Sequence, residues 1–332
     1  MDIFALIVST TIAYGVSLLL VALGGMFSER SGIINIALEG IMIFGALFGA
    51  LFLVMIDKGT WGEAHPQLAV FLGMLVAAAS GVIFSLLLAF ASIKLKADQT
   101  IGGTALNIFA PAFAVVLAWA IQGQGLTDIP LPRWIGITSE SFGIDPATIP
   151  IWLDYLLSNK LYLTTPIAFI ILAISFVVLY KTKFGLRLRA CGEHPQAADS
   201  VGIKVNKMRY IGVGISGFLG GIGGYAFVMA SSNSTFTAEV AGYGFLALAV
   251  MIFGNWKPIS IMGAAFLFSL FKTISALSSD VSMSFLPSFG LESPDYLYKI
   301  LPYFITMLIL AFTSKKSRAP KAEGIPYDPG KR

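Results

Sequence analysis

"SERSGIINIALEG", residues 28–40, is a short polar stretch between two long apolar stretches of the chain. The apolar run before it covers residues 3–28, and the run after it covers residues 40–56. Four of its residues carry a charge or a carboxamide: Glu29, Arg30, Asn35 and Glu39. A tight turn between two membrane helices would explain this arrangement, and so would a functional break at membrane depth. Features elsewhere in the sequence are needed to choose between these two interpretations.

The composition is that of an integral membrane protein. Of the 332 residues, 56% are hydrophobic and 12% are charged, and the mean hydropathy is +0.82. A helix needs about 20 apolar residues to cross a bilayer core. Nine apolar runs reach that length or approach it with a polar flank: residues 3–28, 40–56, 66–93, 99–127, 161–180, 210–238, 240–256, 258–271 and 300–314. The sequence therefore predicts an all-α, polytopic membrane protein of about nine transmembrane helices.

Basic residues concentrate in the segment 181–209 and in the tail that follows Ser314. Because cytoplasmic loops of membrane proteins carry an excess of Lys and Arg, we expect both segments to be cytoplasmic and the N-terminus to be outside. The long loop 122–160 would then lie on the outer side, either as a linker resting on the membrane or as a contact for a soluble partner. The prolines and charges of the tail predict a disordered cytoplasmic segment, residues 315–332, after a transmembrane domain of residues 1–314.

Two glycine patterns occur within the apolar runs. "GFLGGIGGYAF", residues 217–227, has glycines at small-xxx-small spacing, which predicts close helix packing in a membrane. "GVGISG", residues 212–217, matches the dinucleotide-binding pattern, but it opens an apolar run instead of following a strand, so we reject that function. Residues 35–52 and 237–254 each contain an acid, a glycine and an apolar run, which suggests a weak internal repeat of the kind found in transporters.

Motifs for catalysis and for nucleotide binding are absent from the sequence. It has two histidines and no cluster of metal ligands, no GxSxG and no GxxxxGK[ST]. We therefore expect a protein that is not an enzyme, whose transport energy would come from an ion gradient or from a separate ATPase. An ion-driven carrier needs ionisable groups inside the membrane. Glu39 and Lys272 are the candidates, and helix capping or snorkelling would explain them equally well.

The segment "KTKFGLRLRACGEHPQAADSVGIKVNKMR", residues 181–209, contains a short predicted helix. Pro195 is a helix-starting residue and Gly202 a helix-ending one, with two alanines and an acid between them. A short amphipathic helix of this kind can dock into the groove of a partner. A solvated loop is the alternative interpretation from the residues alone.

Four stretches together resemble one family of membrane proteins. Residues 184–205, "FGLRLRACGEHPQAADSVGIKV", resemble the coupling-helix segment of the branched-chain amino acid and ribose type of ABC importer permease, the part that binds the cytoplasmic ATPase. Residues 25–46, "GMFSERSGIINIALEGIMIFGA", resemble the N-terminal signature of the nucleoside and simple-sugar permeases in that superfamily. Residues 97–110, "ADQTIGGTALNIFA", and 249–268, "AVMIFGNWKPISIMGAAFLF", resemble two further segments of the same proteins.

This resemblance implies roles for particular residues. In the superfamily the helix at the opening stretch is interrupted beside the translocation pathway, and its polar groups face a cavity. Asn35 and Asn107 can each donate and accept a hydrogen bond, which suits ribose hydroxyls or base edges. The implied substrate pathway comprises Ser31, Gly32, Asn35, Glu39 and Asn107. The implied ATPase-coupling residues are Gly192, Glu193, Pro195, Ala197, Ala198, Asp199 and Gly202.

The resemblance also implies partners. The chain begins almost directly with the helix before the opening stretch, and it lacks the aspartate of the sugar permeases there, as does the shorter permease of nucleoside importers. Such importers contain a second, longer permease, an ATPase that binds ATP and magnesium, and an external substrate-binding lipoprotein. No cofactor is then expected on this chain itself. The resemblance also implies that the chain lies in the bacterial cytoplasmic membrane. A simple-sugar importer of the same class, an ion-driven carrier, and a channel or structural membrane protein are the alternatives.

Overall fold

We describe the fold from a computed structural model of the chain. The structure describes residues 3–123, 125–137, 161–231, 234–280 and 318–329, with isolated positions at 145, 148–150, 304 and 307. The described helices are α1 (Ile3–Arg30), α2 (Leu38–Asp57), α3 (Trp61–Ala64), α4 (Pro66–Ile93), α5 (Gln99–Gln122), α6 (Thr164–Lys181), α7 (Lys183–Glu193), α8 (Pro195–Ser200), α9 (Val205–Ala230), α10 (Tyr243–Phe253) and α11 (Pro258–Asp280). The 3-10 turn Arg133–Ile135 and the two-residue strands β1 (Ile129–Pro130) and β2 (Thr235–Phe236) are the other regular elements of these residues.

Seven of the described helices are long and apolar enough to cross a membrane, namely α1, α2, α4, α5, α6, α9 and α11. They correspond to seven of the nine predicted spans, and the prediction of an all-α polytopic protein is confirmed. The eighth predicted span, residues 240–256, contains the shorter α10. Its 11 residues cover about 16 Å, roughly half of the 30 Å hydrocarbon core. The ninth, residues 300–314, lies outside the described residues except for positions 304 and 307.

Helix α9 lies at the centre of the bundle, packed against α1, α2 and α4. Glycines allow this close approach, as the small-xxx-small spacing predicts. A Cβ atom at Gly221 would overlap the Ala77 carbonyl of α4, and a Cβ atom at Gly45 of α2 would overlap the backbone of Gly221. The three helix backbones therefore meet at one point, where any side chain would force them apart.

The long helices connect two opposite faces of the bundle. On one face, which we call the β-ribbon face, β1 pairs with β2 in an antiparallel register, and the Trp134 indole N–H donates to the Asp57 carboxylate at 2.7 Å. The other face, which we call the α8 face, contains the end of α1, helices α7 and α8, and the loop between α10 and α11. Basic residues concentrate at this face: Arg30, Lys94, Lys96, Lys181, Lys183, Arg187, Arg189, Lys204, Lys207, Lys257, Arg318 and Lys321.

The expectation of a disordered C-terminal tail is wrong for residues 318–329. This segment lies against the α8 face, where Ala322 and Tyr327 are buried and the Ala322 N–H donates to the Gly192 carbonyl at 2.8 Å. Composition predicts disorder because it counts few apolar residues. It does not register that two buried anchors, Ala322 and Tyr327, and several backbone hydrogen bonds are enough to fix a short segment on an existing surface. Residues 315–317 and 330–332 lie outside the described part of the chain.

Candidate translocation pathway and coupling surface

The opening stretch forms a break of irregular backbone, residues 31–37, between α1 and α2. Two serines of the stretch satisfy its first polar groups. The Ser31 hydroxyl donates to the Ser28 carbonyl at 2.6 Å, and the Ser28 hydroxyl donates to the Ile33 carbonyl at 2.8 Å. All three residues are buried. Irregular backbone inside a membrane protein requires such partners, so the polar residues that interrupt the apolar sequence also stabilise the interruption.

Helix α5 braces the middle of the break with two carboxamides. The Gln99 Oε1 accepts from the Ile34 N–H at 2.7 Å. The Asn107 Nδ2 donates to the Ile36 carbonyl at 2.8 Å, and its Oδ1 accepts from the Gly40 N–H at 2.8 Å. Both ends of the Asn107 side chain, predicted to face substrate, are therefore bonded to backbone in this conformation.

Asn35 points to α9 and keeps one polar atom without a partner. Its Nδ2 donates to the Ser216 hydroxyl at 2.8 Å, and its side chain is fully buried. The Oδ1 atom is buried and accepts no hydrogen bond within the described residues. A buried acceptor without a partner costs about 1–3 kcal/mol, and native proteins keep few of them. Asn35 Oδ1 is thus available to a hydrogen-bond donor that enters the break.

Glu39, the second residue of α2, binds the N-terminus of α10. One carboxylate oxygen accepts from the Gly242 N–H at 2.8 Å, and the other accepts from the Gly244 N–H at 2.6 Å. Carboxylates at a helix N-terminus are favoured because they satisfy free N–H groups and oppose the helix dipole. Of the two interpretations open from the sequence, this geometry shows capping, and the cap is on a different helix.

The weak internal repeat has a structural counterpart. Both α2 and α10 begin after irregular backbone, at residues 31–37 and 237–242 respectively, and their N-termini meet at Glu39. From this junction α2 runs to the β-ribbon face, where Asp57 lies, whereas α10 runs to the α8 face, where Trp256 contacts Glu29. Two interrupted elements with opposite direction are the arrangement that forms substrate sites in many transporters.

Lys272, the other ionisable candidate, lies in α11 at the edge of this junction. Its Nζ atom is 5.9 Å from the centre of the Tyr243 ring, and Tyr243 is the first residue of α10. An ammonium group over an aromatic face is stabilised by the ring quadrupole. The lysine therefore packs against the second interrupted element.

The predicted short helix is present as α8, and its capping follows the sequence. Pro195 is its first residue. The Gly202 N–H donates to the Asp199 carbonyl and the Ile203 N–H donates to the Ala198 carbonyl, which is the Schellman arrangement. Gly202 has a φ of 81°, a value that glycine adopts readily.

One side of α8 packs against the bundle and the other side is exposed. Pro195 and Ala198 are buried, whereas Gln196, Ala197 and Asp199 are exposed. Two buried anchors at a spacing of three residues define one face of a helix. The exposed face therefore points away from the bundle.

The end of α7 joins α8 directly to the break. A Cβ atom at Gly192 would overlap the Arg30 carbonyl and lie 3.4 Å from the Gly32 N atom. Beside this contact, Arg30 donates to the Trp256 carbonyl at 3.1 Å and approaches the Glu193 carboxylate at 3.9 Å. Displacement of α8 would therefore press on the backbone where α1 ends.

The model of one protein family, described as branched-chain amino acid transport system / permease component, matches residues 7–310. The chain belongs to this permease family. Guanosine ABC transporter permease protein NupQ of Bacillus subtilis is 40% identical over 332 residues, which cover 100% of this chain and 99% of that protein. Nucleoside ABC transporter permease protein NupC of Lactococcus lactis is 36% identical, over 97% of this chain and 96% of that protein. A second permease of the latter species, NupB, is 31% identical over 125 residues, 37% of this chain and 34% of that protein. No solved structure matches the chain.

For a permease of this family, the sequence pointed to the interrupted helix and to α8 but missed the residues that brace them. Gln99, Ser216 and Trp256 bond to the break or to the end of α1, and none of them was singled out from the sequence. The available signal was a polar side chain in an otherwise apolar run, as at Ser216. Such a residue has to find a partner inside the bundle, although its position does not say which one.

We expect Asn107→Ala to lower the stability of the permease by about 2 kcal/mol, because it leaves the Gly40 N–H and the Ile36 carbonyl without partners. The melting temperature of the purified protein measures this change. Thr104→Ala, one turn earlier on α5, is the control, since its exposed hydroxyl bonds to the Thr100 carbonyl of its own helix. Loss of transport with unchanged melting temperature would instead show that Asn107 serves the substrate alone.

Proposed function

We propose that this chain is the membrane-spanning permease subunit of an ATP-driven ABC importer for nucleosides in a bacterial cytoplasmic membrane. The observation that carries the proposal is the direct packing of the α7 and α8 unit against a buried, interrupted helix. This packing links an exposed docking surface to a polar break in the bundle. The relatives over the full chain, named as guanosine and nucleoside permeases, favour a nucleoside substrate.

The α8 face is the cytoplasmic face in this proposal. Its excess of Lys and Arg agrees with the bias of cytoplasmic loops. The first residues of α1 then lie on the outer side, and the segment 318–329 lies in the cytoplasm. The β-ribbon face would receive the external substrate-binding lipoprotein.

Substrate would pass along the break and the junction of α2 with α10. The pathway residues are those proposed from the sequence: Ser31, Gly32, Asn35, Glu39 and Asn107. Asn35 Oδ1 supports the proposal most directly, because it is a buried acceptor with no partner within the described residues. A nucleoside carries ribose hydroxyls and base N–H groups that can donate to it. Glu39 and Asn107 would hold the two sides of the pathway in place.

Two kinds of partner belong to this proposal: a second permease and a separate ATPase. A second permease would complete the pathway, as suggested by two related nucleoside permeases in Lactococcus lactis. ATP and magnesium would bind to a separate cytoplasmic ATPase, since the sequence has no phosphate-binding loop. Closure of the ATPase would move α8, and the break would then open toward the other face.

The coupling surface in this proposal comprises Gly192, Glu193, Pro195, Ala197, Ala198, Asp199 and Gly202. In the structure these residues differ in their exposure. Ala197 and Asp199 are exposed and can contact an ATPase, whereas Gly192 and Ala198 are buried and hold the surface in place.

We expect Ala197→Arg to weaken binding of the ATPase by at least about thirtyfold, the effect of losing one central interface contact. The fold should survive, because Ala197 points away from the bundle. Affinity of the purified permease pair for its ATPase measures the change. Gly136→Arg is the matched control on the β-ribbon face, where an added side chain would meet open space. Equal affinities for both variants would contradict docking at α8.

Substrate class is tested by competition. The complex of two permeases, ATPase and binding protein is reconstituted in liposomes, and uptake of radiolabelled guanosine or inosine is measured with ATP. We expect excess unlabelled nucleoside to block uptake and excess ribose to leave it unchanged. Uptake of ribose without uptake of nucleosides would assign the complex to simple sugars.

A further inference from the structure

Residues 318–329, which we call the strap, lie across the α8 face and contact several elements that are distant in sequence. The Arg318 N–H donates to the Asn255 side chain, in the loop between α10 and α11, at 3.0 Å. At its other end the Asp328 carboxylate lies 3.4 Å from the Lys96 ammonium, in the loop between α4 and α5. The strap therefore spans the face on which α8 lies.

The middle of the strap joins the coupling unit to the break. The Ala322 N–H donates to the Gly192 carbonyl, at the end of α7, at 2.8 Å. Two residues later, the Gly324 N–H donates to the Gly32 carbonyl in the break at 3.3 Å. One short segment thus bonds both to the unit that would contact the ATPase and to the backbone that would move with it.

Two further contacts fix this middle part in place. Gly324 has a φ of 75°, and a Cβ atom there would lie 2.8 Å from the Ile34 side chain in the break. The guanidinium of Arg209, a residue only 1% exposed at the start of α9, donates to the Ile325 carbonyl at 3.0 Å. The strap supplies this acceptor to a buried cation, and burying a cation without hydrogen bonds is costly.

The strap also borders the surface that α8 offers to a partner. A groove of about 200 Å³ lies between the two, with Pro195 and Gln196 on one side and Lys321 and Ile325 on the other. A partner that contacts the exposed side of α8 would therefore also contact the strap.

We propose that the strap is a second coupling element, which transmits movement of α8 to the break at residues 31–37. This inference rests on the proposed function and adds to it a segment that lies outside the proposed coupling residues 192–202. Without the strap, the unit of α7 and α8 still contacts the end of α1 through Gly192 of α7, but the bond to Gly32 is lost. ATP hydrolysis would then continue while less of it drives transport.

The Glu323 carboxyl makes the attachment of the strap sensitive to pH. It faces the carboxyl of Glu29 and the guanidinium of Arg30, both at the end of α1, where Glu29 also accepts from the Trp256 indole at 2.6 Å. Burial raises the pKa of Glu323 to about 7, against the opposing effects of Glu29 and Arg30. Attachment is therefore strongest at low pH and weakens as the pH rises through about 7. Glu323→Gln should weaken this dependence, because its amide is neutral at every pH and only the neighbouring Glu29 carboxyl remains.

The test compares a deletion of residues 318–332 with a deletion of residues 330–332 as the control. Both are measured in the full complex in liposomes, by ATP hydrolysis and by uptake of radiolabelled nucleoside. We expect the longer deletion to keep ATP hydrolysis but to lower the uptake per ATP by about tenfold, the effect of losing one or two net hydrogen bonds. The control should behave as the wild type. Unchanged uptake per ATP in the longer deletion would overturn the inference.

A pair of point variants covers the case in which the longer deletion fails to assemble. Gly324→Val adds a side chain where the strap meets Ile34, whereas Ala319→Val adds one at an exposed position of the same segment. We expect only Gly324→Val to lower the uptake per ATP at a fixed pH. Between pH 6 and 8 the uptake per ATP should change less in Glu323→Gln than in the wild type. Equal uptake per ATP in both valine variants would overturn the inference. Absence of ATP-driven nucleoside uptake in the wild type would instead contradict the proposed function.

Discussion

Glu39→Ala is expected to abolish nucleoside uptake and to lower the melting temperature of the protein. The carboxylate accepts from the N–H groups of Gly242 and Gly244 at the start of α10. Its removal leaves the buried Gly244 N–H and the part-buried Gly242 N–H unsatisfied, which costs about 3 kcal/mol in total. Glu39→Gln should be intermediate, since an amide can accept from only one of the two N–H groups in this geometry. The measurement is uptake in liposomes together with the melting temperature in detergent.

Glu239→Ala is the matched control for this prediction. Glu239 is the acid at the start of the second member of the weak repeat, and it is exposed where Glu39 is buried. We expect this variant to keep the wild-type melting temperature. If Glu39→Ala and Glu239→Ala lower the melting temperature equally, the carboxylate of Glu39 does not hold the two interrupted elements together.

Gly221→Leu is expected to prevent correct folding. A side chain at this position would overlap the Ala77 carbonyl of α4, in the region where α2 also packs. Helix backbones in such close contact cannot accommodate it by a change of rotamer, so the helices must separate. We expect a loss of at least about 3 kcal/mol, the upper part of the range for overpacked sites. The yield of monodisperse protein after extraction from the membrane measures the effect.

Gly214→Leu is the control for the effect of replacing a glycine of α9 by leucine away from the helix crossing. Gly214 lies on the same helix, two turns earlier, and a Cβ atom there would meet open space. Its yield should equal that of the wild type. A similar loss for both variants would show that leucine disturbs α9 through its backbone and not through the crossing of α9 with α2 and α4.

Much of the fold could be predicted from the sequence because membrane helices are recognised locally. Apolar length identified the spans, and the glycines of residues 217–227 indicated the close crossing at the centre. Pro195 and Gly202 placed the ends of α8, since capping depends on residues near the helix end. These features depend on short stretches of sequence and not on contacts between distant ones.

The hydrogen bonds of the site could not be predicted, because they join residues that are far apart in the sequence. Nothing near Asn107 shows that its carboxamide bonds to residues 36 and 40, and nothing near Glu39 shows that α10 lies within reach. The strap was missed for the same reason, since its partners Gly32 and Gly192 lie elsewhere in the chain. Asn107, Glu39, Gly32 and Gly192 are ordinary polar or small residues, and the role of each depends on the residue that it contacts in the fold.

Reconstitution with and without the separate ATPase tests directly whether this chain transports nucleosides with energy from that ATPase. The purified permease pair and the binding protein are placed in liposomes with ATP sealed inside, and uptake of radiolabelled guanosine is followed. We expect uptake against a gradient when the ATPase is present and none when it is omitted. Accumulation without the ATPase would contradict the assignment of α8 as a coupling helix and would favour an ion-driven carrier.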